Sequence, residues 1–108
     1  LSKAIDTLLI LVYSVIYTKI LEIDMANQTE AECLVVASEE CAELTKVCMK
    51  ILRFGIDDEK KSDLISEMGD VQCMLDLLGD HLNISSDEIL EASSAKREKL
   101  KKWSNLIK

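Results

Sequence analysis

Not one proline occurs in the 108 residues of this chain, and glycine appears only three times. Proline breaks a helix interior at a cost of about 3 kcal/mol, and turn-rich β architectures rely on both residues at their corners. A chain this poor in both can run as helix over nearly its whole length. Apolar residues make up 48% of it, and they recur at helical rather than alternating spacing, so the expected fold class is all-α. The length suits one domain, residues 1–108, with a core of its own. It is also small enough that association with further copies would bury more apolar surface.

Four segments follow from the punctuation. The first runs from Ser2 to about Asp24 and contains the apolar run Leu8 to Tyr17, interrupted at Thr18 and Lys19. That is shorter than the roughly 20 residues a membrane span requires, and Asp6 and Glu22 do not fit a signal peptide. A buried helix is expected, with no membrane partner. Met25 opens a stretch that reads as complete without what precedes it, so residues 1–24 are expected to be an added helix or upstream sequence. The second helix should run from near Thr29 to Phe54, capped by Asn27 or Thr29 and ended by Gly55. Residues 55–61 read as a polar connecting loop, with a short helical turn as the other reading. The third helix is expected from about Ser62 and Asp63 to Leu82, with Asn83 as its stop. Ser85 to Glu88 then offers a capping box for a fourth helix toward the C-terminus.

The formal charge of −7 argues against general affinity for nucleic acid backbones, and no basic and aromatic interleaving of the single-strand-binding kind is present. Cys33, Cys41, Cys48 and Cys73 form no Cys-x-x-Cys pair, and His81 is the single histidine, so zinc is not expected. Cys33, Cys41 and Cys48 recur at spacings of eight and seven, the pattern of small core residues. A reducing, cytoplasmic compartment follows from this usage. A nucleophilic cysteine would need an activating base, and His81 is the one available.

The acids are the informative residues. At about 100° per residue, Glu40 falls on the face of Cys33, Val36, Leu44, Val47 and Ile51, with Glu43 one step to the side. Glu67 and Asp70 fall on a stripe with Leu64, Val71, Met74, Leu77 and Leu78. Ionised carboxylates on apolar stripes are costly unless positive charge meets them. Residues i and i+3 are neighbours on a helix, so Glu40 with Glu43 and Glu67 with Asp70 make two pairs of oxygen ligands. If the two helices pack antiparallel, the pairs converge on one volume of negative potential. A hard divalent cation suits it, magnesium above all, with coordination positions left for water and substrate phosphates. The competing reading is a set of ordinary surface acids beside Lys46, Lys50 and Arg53.

The fourth helix changes sign along its length, from Asp87, Glu88 and Glu91 to Lys96, Arg97, Lys99, Lys101 and Lys102. This order complements the helix dipole. It would also supply local positive charge for an anionic nucleotide, with Lys96 and Lys99 one turn apart. Trp103 is expected as a core anchor, with a stacking surface for a base as the other reading.

Glu-Glu-x-x-Glu over Glu39 to Glu43, followed by Glu-x-x-Asp over Glu67 to Asp70, resembles the signature of the all-α nucleoside triphosphate pyrophosphohydrolases, the MazG-like superfamily. The phrase Arg53-Phe54-Gly55-Ile56-Asp57-Asp58 is similar to small phage and bacterial members. The resemblance covers roughly Thr29 to Trp103, within a family core of residues 25–108. It implies a four-helix bundle-like unit that forms dimers or tetramers. It also implies magnesium, with manganese as a substitute, and cleavage of a nucleoside triphosphate between the α and β phosphates to a monophosphate and pyrophosphate. Carried over by position, Glu40, Glu43, Glu67 and Asp70 are the metal ligands, and Glu39 is a further ligand or the base that orients the attacking water. Arg53, Lys96 and Lys99 are the candidate phosphate contacts. The first 24 residues do not match the family pattern. Against this stands a non-catalytic helical interaction module of the same fold. A di-iron carboxylate bundle requires paired Glu-x-x-His motifs that one histidine cannot supply.

Overall fold

A computed structural model describes residues 2–20 and 28–107. Among them the chain forms four α-helices and no strand: α1 (Ser2–Ile20), α2 (Gln28–Phe54), α3 (Asp58–Leu82) and α4 (Ser86–Trp103). The expected ends of the first helix, beyond residue 20, and the proposed cap Asn27 lie outside the described residues.

An antiparallel hairpin of α2 and α3 organises the molecule. Gly55 ends α2 with a positive φ of 82°, a conformation that glycine adopts without the steric cost a Cβ would bring, and its N–H donates to the Ile51 carbonyl at 2.8 Å. The link is shorter than the sequence suggests. Residues 58–61 are helical, because Asp57 acts as the N-cap: its side chain accepts from the Lys60 N–H, and Asp58 and Glu59 sit in the first turn. These acids favour a helix start through the dipole, so the polar run 57–60 begins α3 where the sequence reading placed a loop. At the other end Asn83 adopts the left-handed conformation and closes α3, with the Ile84 N–H donating to the Gly79 carbonyl. The capping box at Ser85 forms as expected: Ser85 accepts from the Glu88 N–H, and the Glu88 carboxylate accepts from the Ser85 N–H at 2.7 Å.

The core is thin. Cys33, Ala37 and Met74 are buried together, with Val36 and Leu78 packed against them. These residues lie on the stripes that the helical periodicity picks out, and small side chains at 33 and 37 let α3 approach closely. Helix α1 lies on another side of α2. Its half-buried residues Ile5, Leu9, Val12, Tyr13 and Ile16 recur at the spacing of a single helix face. Leu8, Leu11 and Val15, on the other side, are more than half exposed. No helix among the described residues is long and apolar enough to cross a membrane.

Three expectations about burial are corrected. The first helix, expected to be buried, covers only one side against α2 and has no buried residue among those described. Cys33 is buried, but Cys41 is exposed and Cys48 half-buried, because Cys41 turns into the open groove between α1 and α2 beside Leu8, Leu9 and Val12. Trp103 is 83% exposed, because α4 does not fold back over the hairpin and has no buried residue at all. The chain is accordingly extended. Its radius of gyration is 16.2 Å, where a compact chain of this length would have about 13 Å. Its accessible surface is 8536 Å², where a folded monomer of this mass exposes about 6,000 Å².

Candidate metal-binding site

The hairpin brings the two acidic motifs face to face. Glu40 lies 14 residues before the end of α2 and Asp70 lies 12 after the start of α3. At 1.5 Å per residue these positions are about 20 Å from the turn on both helices, which puts them opposite each other. One carboxylate oxygen from each of Glu40, Glu67 and Asp70 lies within 4.8 Å of the others. Glu40 and Glu67 are half-buried and Asp70 is open to solvent, so the group is partly covered and accessible from the Asp70 side.

Its electrostatics are unbalanced. Burial pushes the Glu40 carboxyl above its ordinary pKa, and the negative charges of Asp70 and Glu67 push it further. A hydrogen bond with Asp70 and the charge of Glu43 add to this. Like charges at this separation favour retention of a proton by one member. Oε2 of Glu67 is buried and has no hydrogen-bond partner, a costly state for a carboxylate oxygen. Among the described residues, no ion pair joins a lysine or arginine to Glu40, Glu43, Glu67 or Asp70, while Lys60 pairs with Asp57 and Lys101 with Glu98 on the surface.

The donor set consists of hard oxygens. Magnesium–oxygen bonds of 2.0–2.1 Å put neighbouring ligands of an octahedron about 2.9 Å apart and opposite ones about 4.2 Å apart. Rotation of the flexible glutamate and aspartate side chains would close the three oxygens to these distances, so the residues fit such an ion. The orphaned oxygen of Glu67 supplies the local reason for one to bind.

Glu43 stands between this group and α1. It contributes to the raised pKa of Glu40, and its Oε1 accepts a hydrogen bond from the Tyr13 hydroxyl at 3.4 Å. Tyr13 is held above its ordinary pKa, first by burial and then by the charges of Glu43 and Glu39. Glu39 is thus on the α1 side of α2, one helical turn from Glu43, and it is half-buried. Tyr13 was not among the residues that the sequence picks out. Its only signal is a phenol within the apolar run 8–17.

The basic candidates are elsewhere. Arg53 is 13 residues beyond Glu40, about 20 Å along the helix. Its guanidinium lies 4.8 Å from the Phe54 ring centroid, and it borders a cavity of about 260 Å³ together with Lys46, Lys50 and Asp6. Lys96 and Lys99 are exposed on α4, which leaves the hairpin uncovered. One chain therefore assembles the acids and does not bring the proposed phosphate contacts to them. No protein-family model, curated protein or solved structure matches the chain.

Proposed function

We propose that the protein is a magnesium-dependent nucleoside triphosphate pyrophosphohydrolase of the MazG-like kind, with manganese able to replace magnesium. The observation that carries the reading is the convergence of Glu40, Glu67 and Asp70 on one partly buried volume that no cation of the described chain neutralises. In this reading Glu40, Glu67 and Asp70 hold the ion, and Glu43 stands beside them as the fourth ligand. When bound, the ion offsets phosphate charge and lowers the pKa of water. Glu39 is assigned to orient the attacking water or to join the ligand set. Lys96, Lys99 and Arg53 are assigned to the phosphates.

The reading includes assembly into a dimer or tetramer. The exposed surface exceeds that of a compact monomer by about 2,500 Å². Obligate homodimers bury about 2,000–5,000 Å² in total, or up to about 2,500 Å² per subunit. The uncovered side of α1 and the whole of α4, including Leu90 and Trp103, are the surfaces available. Packing α4 of one copy against the hairpin of another would bring basic residues toward the acidic mouth, which a single chain does not do.

The test is a panel of common and modified nucleoside triphosphates incubated with the purified protein, with magnesium and with EDTA. Pyrophosphate as the first product, dependent on the metal, is the expected result. Orthophosphate as the first product would place attack at the terminal phosphate and overturn the assignment. Metal binding with no turnover on any nucleotide would favour the non-catalytic module.

A further inference from the structure

The helix that has no counterpart in the acidic motifs nevertheless reaches them. Tyr13 crosses from α1 to α2 and its hydroxyl donates to Oε1 of Glu43. Glu43 also lies three residues from Glu40 on α2, so the two side chains are neighbours on that helix. It therefore links the acidic group to α1. Its oxygens are not in the set within 4.8 Å that Glu40, Glu67 and Asp70 form. A carboxylate just outside a ligand set, on a side chain with several rotatable bonds, needs an external hold if it is to present an oxygen inward. Carboxylates that bind metals are commonly fixed by such a hydrogen bond on their outer oxygen, and loss of the outer partner weakens metal binding about 10–100-fold.

We infer that Tyr13 is a positioning residue for the metal site: by binding one oxygen of Glu43 it orients the other toward a divalent cation held by Glu40, Glu67 and Asp70. The inference rests on the metal-site reading above and extends that site to α1. It makes the first helix a supporting wall of the site. Tyr13 does not itself touch the ion or substrate. Its effect passes through Glu43 alone.

That last property gives the test. Manganese affinity is measured on the full chain by the electron paramagnetic resonance signal of free Mn²⁺, for wild type, Tyr13→Phe, Glu43→Gln and the double variant. Phenylalanine keeps the ring that packs between α1 and α2 and removes only the hydroxyl. Tyr13→Phe is expected to weaken Mn²⁺ binding about 10–100-fold, and the double variant to bind as Glu43→Gln does, because the neutral amide no longer offers the cation a charged oxygen for the hydroxyl to orient. Helix content by circular dichroism checks that the variants retain the fold. Unchanged affinity in Tyr13→Phe overturns the inference, and so does a Tyr13→Phe loss that persists in full on the Glu43→Gln background. Wild type that binds Mn²⁺ but releases no pyrophosphate from any nucleotide would remove the enzymatic reading and leave the Tyr13 result standing. Wild type that binds no Mn²⁺ removes both.

Discussion

Replacing Glu67 by glutamine should make the metal-free protein more stable while it abolishes metal-dependent turnover. Three carboxylates within 4.8 Å repel one another. At an effective dielectric constant of 20, two unit charges at that distance interact by about 3.5 kcal/mol, and in bulk water by about 0.9 kcal/mol. Asp70 is open to solvent and Glu40 already tends toward its protonated form, so the lower part of that range applies, about 1–2 kcal/mol. Glutamine also has an amide that can donate to Asp70 or Glu40, giving the buried Oε2 position a partner it lacks. At about 2.1 cal/mol/K of unfolding entropy per residue, 1–2 kcal/mol raises the Tm of a chain this long by roughly 4–9 °C. The assay is thermal unfolding in EDTA near neutral pH, followed by circular dichroism at one fixed protomer concentration, because association makes Tm concentration-dependent. The gain should shrink in high salt. Magnesium should raise the Tm of the wild type and leave the variant unmoved. A lower Tm in Glu67→Gln would refute the reasoning, because it would mean that the Glu67 charge is part of a structural network and not a source of strain.

The same crowding sets a pH dependence. Glu40 binds its proton more tightly in the folded state than in the unfolded one, so between its ordinary value and its raised one stability falls as pH rises. Acidifying the metal-free protein from neutrality through that window should therefore raise its urea midpoint, and Glu40→Gln should remove this rise. Further acidification should reverse it. Glu88 is held below the ordinary range by the backbone and hydroxyl of Ser85, and Asp57 by its hydrogen bonds with Lys60, so their contributions are lost as pH drops below their ordinary values. Ser85→Ala removes the cap of α4 and should cost about 1 kcal/mol, read as a lower urea midpoint with magnesium affinity unchanged. Light scattering coupled to size exclusion should give a mass at least twice that of one chain, and Leu90→Glu should lower it; a monomeric wild type would refute the assembly reading.

Local signals in the chain were enough for the helices and for one side of the site. The capping box at Ser85, the stops at Gly55 and Asn83 and the two stripes that carry Cys33 on α2 and Met74 on α3 are each decided by residues spaced a turn or two apart along one helix. Backbone geometry alone then enforces the outcome. The meeting of Glu40 with Glu67 and Asp70 was legible for the same reason, since a hairpin with a short link fixes which residues of its two arms stand opposite. The start of α3 was missed because Asp57 and Asp58 read equally well as a polar loop, and only the side-chain bond to the Lys60 N–H decides for a cap.

What the sequence did not reveal depends on how separate helices are placed. Tyr13 sits about 30 residues from its partner, and nothing in an apolar run says which neighbour a phenol will reach. The same limit governs Trp103 and the lysines of α4. Their periodicity predicts an amphipathic helix, but not which surface its apolar side covers. In a single chain α4 has no buried residue, and Leu100 alone within it is half-buried, so it lacks the packing of an amphipathic face that supplies most helical stability in proteins. The assembly reading supplies α4 with a covering surface from another copy. Under the assembly reading the same docking that stabilises it would carry Lys96 and Lys99 to a neighbouring site. Stability of α4 and delivery of positive charge would then be one event, and a substitution that separates the copies should lower the helix content of α4 and the affinity for nucleotide together.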